Sequence, residues 1–288
     1  MDINGKTELF CLIGSPVGHS GSPAMYNYSF HRTNMNCAYL AFDVELAKTK
    51  EVVDSLKALG CRGFNVTMPC KTRVAELADE LSDAAALIGA CNTVVIKDGR
   101  LYGHNTDGIG FVKNLKEHGV DVKDKVMAVM GAGGAATAIQ VQSALEGAKK
   151  IYIFNRRDEF YPNAESTAKK ISEKLPEVDV EVYPLEDSRV LYEKVQKSHI
   201  LVNATKVGMK PMEEESLIQD LSVFRPDLVV ADAVYNPRET KLLREAMEKG
   251  CKTVLGGIGM LLRQGEAAFN IFTGEDMPAQ EVYEKFFQ

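Results

Sequence analysis

A glycine-rich turn set between two different hydrophobic patterns constrains this chain most. Val126 to Met130 is a short continuous apolar run, Gly131-Ala-Gly-Gly-Ala-Ala136 follows it, and Ile139, Val141, Ala144 and Leu145 then recur at helical spacing until Gly147. The pattern reads as strand, turn and helix. Gly131 permits the tight turn, Gly133 lets backbone approach a pyrophosphate, and the small Ala136 lets helix and strand lie close. The helix N-terminus faces the phosphate charge. Gly-x-Gly-x-x-Ala in this setting predicts a dinucleotide-binding unit.

The same alternation runs through the rest of the second half. Apolar runs at Ile151–Phe154, Val180–Tyr183, Ile200–Ala204, Leu228–Val234 and Thr253–Leu255 alternate with helical patterns near 163–174, 188–197 and 239–249. Strands separated by helices need crossover connections, which makes the sheet parallel. The first hundred residues alternate too, with strands at 9–13, 39–44, 64–67 and 93–96 and helices near 23–32, 47–59 and 72–77. Asp98-Gly99 marks a hairpin there, and with it an antiparallel edge. Helical patterns at 259–272 and 278–287 follow the last strand and have apolar faces to bury. The expected fold is therefore α/β with two domains. An N-terminal α/β substrate domain of residues 1–107 and 259–288 stands beside a Rossmann-type doubly wound domain of residues 108–258, and the C-terminal helices return to the first.

Composition narrows the function classes. The 288 residues are 45% hydrophobic and 26% charged, the usage of globular chains, and 34 basic against 40 acidic residues leave a net charge of −6 without long single-sign blocks. Nucleic-acid binding over a broad surface is disfavoured, and the absence of Trp for base stacking counts against it too. No apolar run reaches the length of a membrane span, and Asp2, Lys6 and Glu8 interrupt the start where an export signal would be apolar. The six cysteines are scattered, with no metal-ligand spacing, and are expected to be reduced, mostly buried thiols of a cytoplasmic protein. Cys70, beside Lys71, is the thiol expected near chemistry.

The first half carries polar motifs at predicted strand and helix ends: His19-Ser-Gly-Ser-Pro23, Asn65-Val-Thr-Met-Pro-Cys-Lys71, Asn92-Thr93 and Asn105-Thr-Asp-Gly108. Small hydroxyl, amide and carboxylate groups of this kind suit a polyhydroxylated acid. Pro69 ends one strand and opens a helix, so Lys71 falls in a first helical turn. A cation there opposes the helix dipole, and a lysine placed against that rule is a candidate general acid or base, with Asp107 as its proton-handling partner. His19 and His104 are rival bases. After the second strand of the dinucleotide unit stand Asn155, Arg156, Arg157 and Asp158. An acid there suits the ribose hydroxyls of NAD, and an arginine suits the 2′-phosphate of NADP, so both cofactors stay open.

Taken in order, these motifs, with Thr205-Lys-Val-Gly-Met209 and Gln264-Gly265, resemble the shikimate dehydrogenase family over essentially the whole chain. The resemblance implies a substrate site of Ser20, Ser22, Thr67, Lys71, Asn92, Asp107 and Gln264, with Lys71 and Asp107 catalytic. Tyr39 belongs to the same pocket, where the choice of ring acid would be made. It also implies hydride transfer between the 3-hydroxyl carbon of shikimate and a nicotinamide cofactor held by Ala132, Gly133, Gly134 and Ala135, with Ala233, Val234, Tyr235, Asn236 and Gly257 flanking the nicotinamide. Asn155-Arg-Arg-Asp158 and Lys206 are similar to the quinate/shikimate dehydrogenase branch, whose members use NAD and accept quinate. NAD is therefore expected, with NADP possible. A homodimer is expected from an apolar first-domain edge, and no metal is. The alternative is a catalytically silent sensor of nicotinamide cofactor and a small acid, against which Lys71 and Asp107 count.

Overall fold

The computed structural model describes residues 3–288. It divides into two compact units, one of residues up to Thr106 with Gln264–Gln288 and the other of Asp107–Arg263. Among the described residues each unit is built on a six-stranded sheet.

In the first unit the chain runs β1 (Glu8–Gly14), α1 (Ser22–Arg32), β2 (Cys37–Asp43), α2 (Thr49–Ala58), β3 (Gly63–Val66), α3 (Lys71–Leu77), β4 (Glu80–Leu81), α4 (Asp83–Ile88), β5 (Thr93–Lys97) and β6 (Arg100–His104). The strand order is β2-β1-β3-β5-β6-β4. β1 pairs in parallel with β2 and β3, whereas β5 is antiparallel to both β3 and β6. Asp98 and Gly99 both adopt positive φ, 52° and 73°, the requirement of a tight hairpin whose twist matches its strands. The hairpin is not the edge that the sequence suggests. The two-residue β4 pairs with β6 and takes that place. One face of the sheet buries Ile13, Phe64, Val66 and Val74. The other buries a set of rings in which Tyr26 stacks on Tyr39 at 4.5 Å between centroids.

The second unit follows as α5 (Asp107–Glu117), β7 (Val126–Met130), α6 (Gly134–Leu145), β8 (Lys150–Asn155), α7 (Tyr161–Lys174), β9 (Asp179–Pro184), α8 (Ser188–Gln196), β10 (Ile200–Asn203), β11 (Val229–Asp232), α9 (Lys241–Glu248) and β12 (Thr253–Leu255). Its sheet is parallel throughout in the order β12-β11-β10-β7-β8-β9. Chain direction across the sheet reverses between β7 and β10, the switch point of a doubly wound fold. Its inner strands are buried on both faces, which is why they read as unbroken apolar runs.

Two helices end the chain, α10 (Gly257–Thr273) and α11 (Ala279–Phe286). From Gln264 onward they belong to the first unit. The Tyr26 hydroxyl donates to the Gly265 carbonyl at 3.2 Å, and Arg32 pairs with Glu281 at 2.7 Å. Asp107 and residues 259–263, expected with the first domain, pack with the second. Gly108 has no room for a Cβ against the Ala138 carbonyl, nor Gly259 against the Asn114 amide, and Arg263 pairs with Glu117 at 2.6 Å.

The exposed edge of the second sheet is guarded by charge. On β9, Glu181 meets Lys150 at 2.5 Å and Lys194 at 3.3 Å and accepts from the Tyr183 hydroxyl. Partial burial alone would raise the Glu181 carboxyl, but Lys150, Tyr183 and Lys194 outweigh it and hold it down to about 2. A carboxylate lowered on folding adds stability above its unfolded pKa and loses it as pH falls through the folded one. Glu181→Gln is therefore expected to lower unfolding free energy by about 1 kcal/mol at neutral pH, the range of a part-exposed ion network. The difference should vanish as urea denaturation is repeated from pH 5 towards pH 2, and a difference that stays constant would remove this account.

Candidate active site

At one end of the first sheet a continuous run of hydrogen bonds joins residues far apart in sequence. The Tyr39 hydroxyl donates to Asn65 Oδ1 at 2.7 Å, and Asn65 Nδ2 donates to the Asn92 carbonyl at 3.1 Å and to Thr93 Oγ1 at 3.0 Å. Asn92 Nδ2 in turn donates to Thr106 Oγ1 at 3.0 Å, its Oδ1 accepts from the Thr106 amide at 2.9 Å, and Thr106 Oγ1 lies 3.5 Å from Gln264 Oε1. These groups sit within β2 and β3, at the start of β5, just after β6 and on α10. Each is fixed by a neighbour, so their orientation is set before any ligand arrives. Asn65, Asn92 and Thr106 are buried, whereas Gln264 is half-buried.

Lys71 is the first residue of α3, half-buried, and the Cys91 amide donates to its carbonyl at 3.2 Å. Burial pushes the Cys91 thiol up to about 12, with the nearby Lys71 charge pulling the other way. Thr67, half-buried, directly follows β3, and its backbone amide donates to the Ile13 carbonyl. Ser20 Oγ accepts from the Ser22 amide at 3.2 Å, fixing the turn that opens α1. Asp107 is the first residue of α5, where a carboxylate favours the helix dipole. His104 ends β6 half-buried, and burial lowers its imidazole pKa; His19 is exposed.

Tyr39 is buried, and its hydroxyl bond to Asn65 brings it into the network. One expectation for this unit needs correction. Cys70 turns away from Lys71 into the core, where its thiol donates to the Val44 carbonyl at 3.3 Å and accepts from Thr49.

In the second unit Gly131 has φ +122°, its amide donates to the Phe154 carbonyl at 2.7 Å, and its carbonyl accepts from Gln140 Nε2 at 2.9 Å. Ala132 is buried, and its carbonyl accepts from Asn163 Nδ2 on α7, which also reaches Thr137 Oγ1 at 3.2 Å. Beyond Gly133 and Gly134 the space is open, and among the described residues no side chain caps the first amides of α6. The cradle therefore fits a pyrophosphate: free amides, a helix N-terminus and no acidic residue in the first turn.

Asn155 ends β8, and the exposed Arg156, Arg157 and Asp158 form the turn that follows. At the switch point, Thr205–Met209 follows β10 and 233–236 follows β11. Lys206, Tyr235 and Asn236 are exposed, Ala233 is half-buried and Val234 is buried. Gly257 donates its amide to the Val234 carbonyl at 3.1 Å and has no room for a Cβ against Ala233.

Sequence reasoning missed what holds these loops. Asn203 and Asp232 end β10 and β11 in direct register, and Asn203 Nδ2 donates to Asp232 Oδ1 at 3.0 Å. Asp232 also accepts from the Val234 amide at 2.9 Å and from the Thr240 hydroxyl at 2.6 Å, while Asn203 Oδ1 accepts from Thr205. Burial pushes the Asp232 carboxyl up, against those hydrogen bonds. A polar residue closing an apolar strand run was the available signal.

A doubly wound sheet with an open glycine cradle, in one chain with a unit whose strand ends carry an amide and hydroxyl network, defines the class of two-domain nicotinamide-dependent oxidoreductases. Comparison with known proteins gives the family. A model of the shikimate dehydrogenase substrate binding domain matches residues 12–94, and one of the shikimate 5′-dehydrogenase C-terminal domain matches residues 257–285. A shikimate dehydrogenase (NADP(+)) of Listeria monocytogenes is 48% identical over 285 residues, 99% of this chain and 97% of that protein. A quinate/shikimate dehydrogenase of Escherichia coli is 46% identical over 282 residues, 98% and 97% of the two chains. The crystal structure of shikimate 5-dehydrogenase from Listeria monocytogenes in complex with shikimate and NAD has a TM-score of 0.97 at 47% identity, covering 100% of this chain and 99% of that one. The chain belongs to the shikimate dehydrogenase family.

Proposed function

We propose that this chain catalyses reversible hydride transfer between shikimate, and also quinate, and a nicotinamide cofactor, with NAD preferred and NADP accepted. The observation that carries the reading is the Asn65–Asn92–Thr106–Gln264 network in the unit that also presents Lys71. Its fixed amides and hydroxyls suit the hydroxyl groups and carboxylate of a ring acid. Ser20, Ser22, Thr67, Asn92 and Gln264 bind and orient that acid. Lys71 Nζ takes the proton of the 3-hydroxyl as the C3–H bond breaks, and returns it in the reverse direction, with Asp107 as its proton-handling partner. A bound nicotinamide supplies the acceptor or donor of the hydride. The proton and the hydride together account for the two hydrogens lost when shikimate becomes 3-dehydroshikimate.

The Ala132–Ala135 cradle holds the pyrophosphate, the Asn155–Asp158 turn reads the ribose, and Lys206, Ala233–Asn236 and Gly257 flank the nicotinamide. The proposal includes a homodimer, supported by edge strand β2, whose Leu40 and Phe42 are exposed. The test is formation of reduced cofactor from shikimate and from quinate, each with NAD and with NADP. Turnover of shikimate favouring NAD is the expected result. Cofactor binding without turnover of either acid would overturn it and leave the sensor.

A further inference from the structure

The turn after β8 already holds an anion of the protein's own. Glu186, two residues beyond β9, accepts the Arg157 backbone amide on Oε1 at 3.1 Å. The rest of the turn is closed by its own side chains. Asn155 Nδ2 donates to the Arg156 carbonyl at 2.8 Å and to Asp158 Oδ1 at 2.9 Å, and that same oxygen accepts from the Phe160 amide. The Arg157 guanidinium lies over the Tyr161 ring, 5.6 Å from its centroid. A cleft of about 220 Å³ beside the turn is lined by Arg156, Glu186 and Glu215 among others.

Backbone amides and arginines in the turn after the second strand of such a sheet are donors for the 2′ position of the adenosine ribose, a hydroxyl in NAD and a phosphate in NADP. Here the Arg157 amide is taken by a carboxylate, Arg157 itself is laid on an aromatic ring, and Arg156 lines the same cleft as Glu186 and Glu215. We propose that Glu186 is a specificity-determining residue: its carboxylate holds the Arg157 amide and repels a 2′-phosphate, so that the turn admits the 2′-hydroxyl. A 2′-phosphate brings roughly −1.5 to −2 charges towards Glu186, Glu215 and Asp158, whereas a hydroxyl brings none. The inference deepens the proposed function and rests on its dinucleotide site.

The test is calorimetric binding of 5′-AMP and of adenosine 2′,5′-bisphosphate to the full chain, to Glu186→Gln and to Glu186→Ala. The bisphosphate is expected to bind about tenfold more tightly to the variants, AMP to change by less than about twofold, and the gain to shrink in high salt. A gain in both variants assigns the effect to charge, and a gain in Glu186→Ala alone assigns it to the freed amide; each supports the proposal. An unchanged ratio of the two affinities in both variants overturns it. Shikimate turnover by the unsubstituted chain is measured alongside. Absent turnover with a shifted ratio removes the proposed reaction and keeps Glu186, whereas normal turnover with an unshifted ratio removes Glu186 alone.

Discussion

Lys71→Ala is expected to lower shikimate turnover by about a hundredfold or more, the usual contribution of a general acid or base, while cofactor affinity stays within about twofold. The split follows from where the residue stands. Lys71 opens α3 in the first unit, and the glycine cradle belongs to the second. Steady-state rates at saturating cofactor, with cofactor binding measured separately, give both numbers. Near-normal turnover would end the assignment of Lys71 as the proton carrier. An equal loss of cofactor binding would mean that the substitution had disturbed the fold. Lys71→Arg keeps the charge but holds its proton too firmly to release it, so it should stay within about tenfold of Lys71→Ala.

Gly131→Ala is expected to have the largest effect on the second unit, about 2 to 4 kcal/mol of stability, combining a left-handed backbone with an overpacked contact. At φ +122° an added Cβ falls 2.8 Å from the Ala204 carbonyl oxygen, and that neighbour is backbone at the end of the adjacent strand. The turn must open, and the amides of the cradle shift with it. Cofactor affinity should drop about tenfold or more, since a misplaced anion-binding loop loses several charge-assisted bonds together. Binding of shikimate alone should not change. Urea denaturation and calorimetric cofactor binding check both parts, and a variant with parental stability and affinity would show that the turn is not constrained as described.

The second unit was the more legible half. Its strands are buried on both faces, so each appears as a short apolar run, and glycines mark the turns between run and helix. Outside those strands more was hidden. Helix α5 escaped because Gly108 and Gly110 lie inside it, and glycine lowers helix propensity by about 1 kcal/mol. Gly108 is there for close packing on α6, a tertiary reason that no local pattern displays. β4 has two residues and exists only through its pairing with β6. Among candidate site residues, the polar strand ends stood out because such groups are out of place in apolar runs. What each side chain bonds was hidden: Tyr39 turned out buried against Asn65, and Cys70 faced the core. Glu186 reaches the Arg157 amide from 29 residues away, a pairing set by strand register and invisible to spacing.

Asn163 gives the dinucleotide unit a property that bears on attempts to redesign it. From the first turn of α7 it bonds both the Ala132 carbonyl and Thr137, so the segment proposed to read the ribose and the segment proposed to hold the phosphates form one mechanical piece. Transplanting residues 155–158 from a relative with the opposite cofactor preference would leave that tie pointing at a backbone shaped for the old sequence. An exchange that keeps the phosphate cradle seated has to run from the end of β8 through Asn163 as a single cassette, with position 186 as its second, distant part.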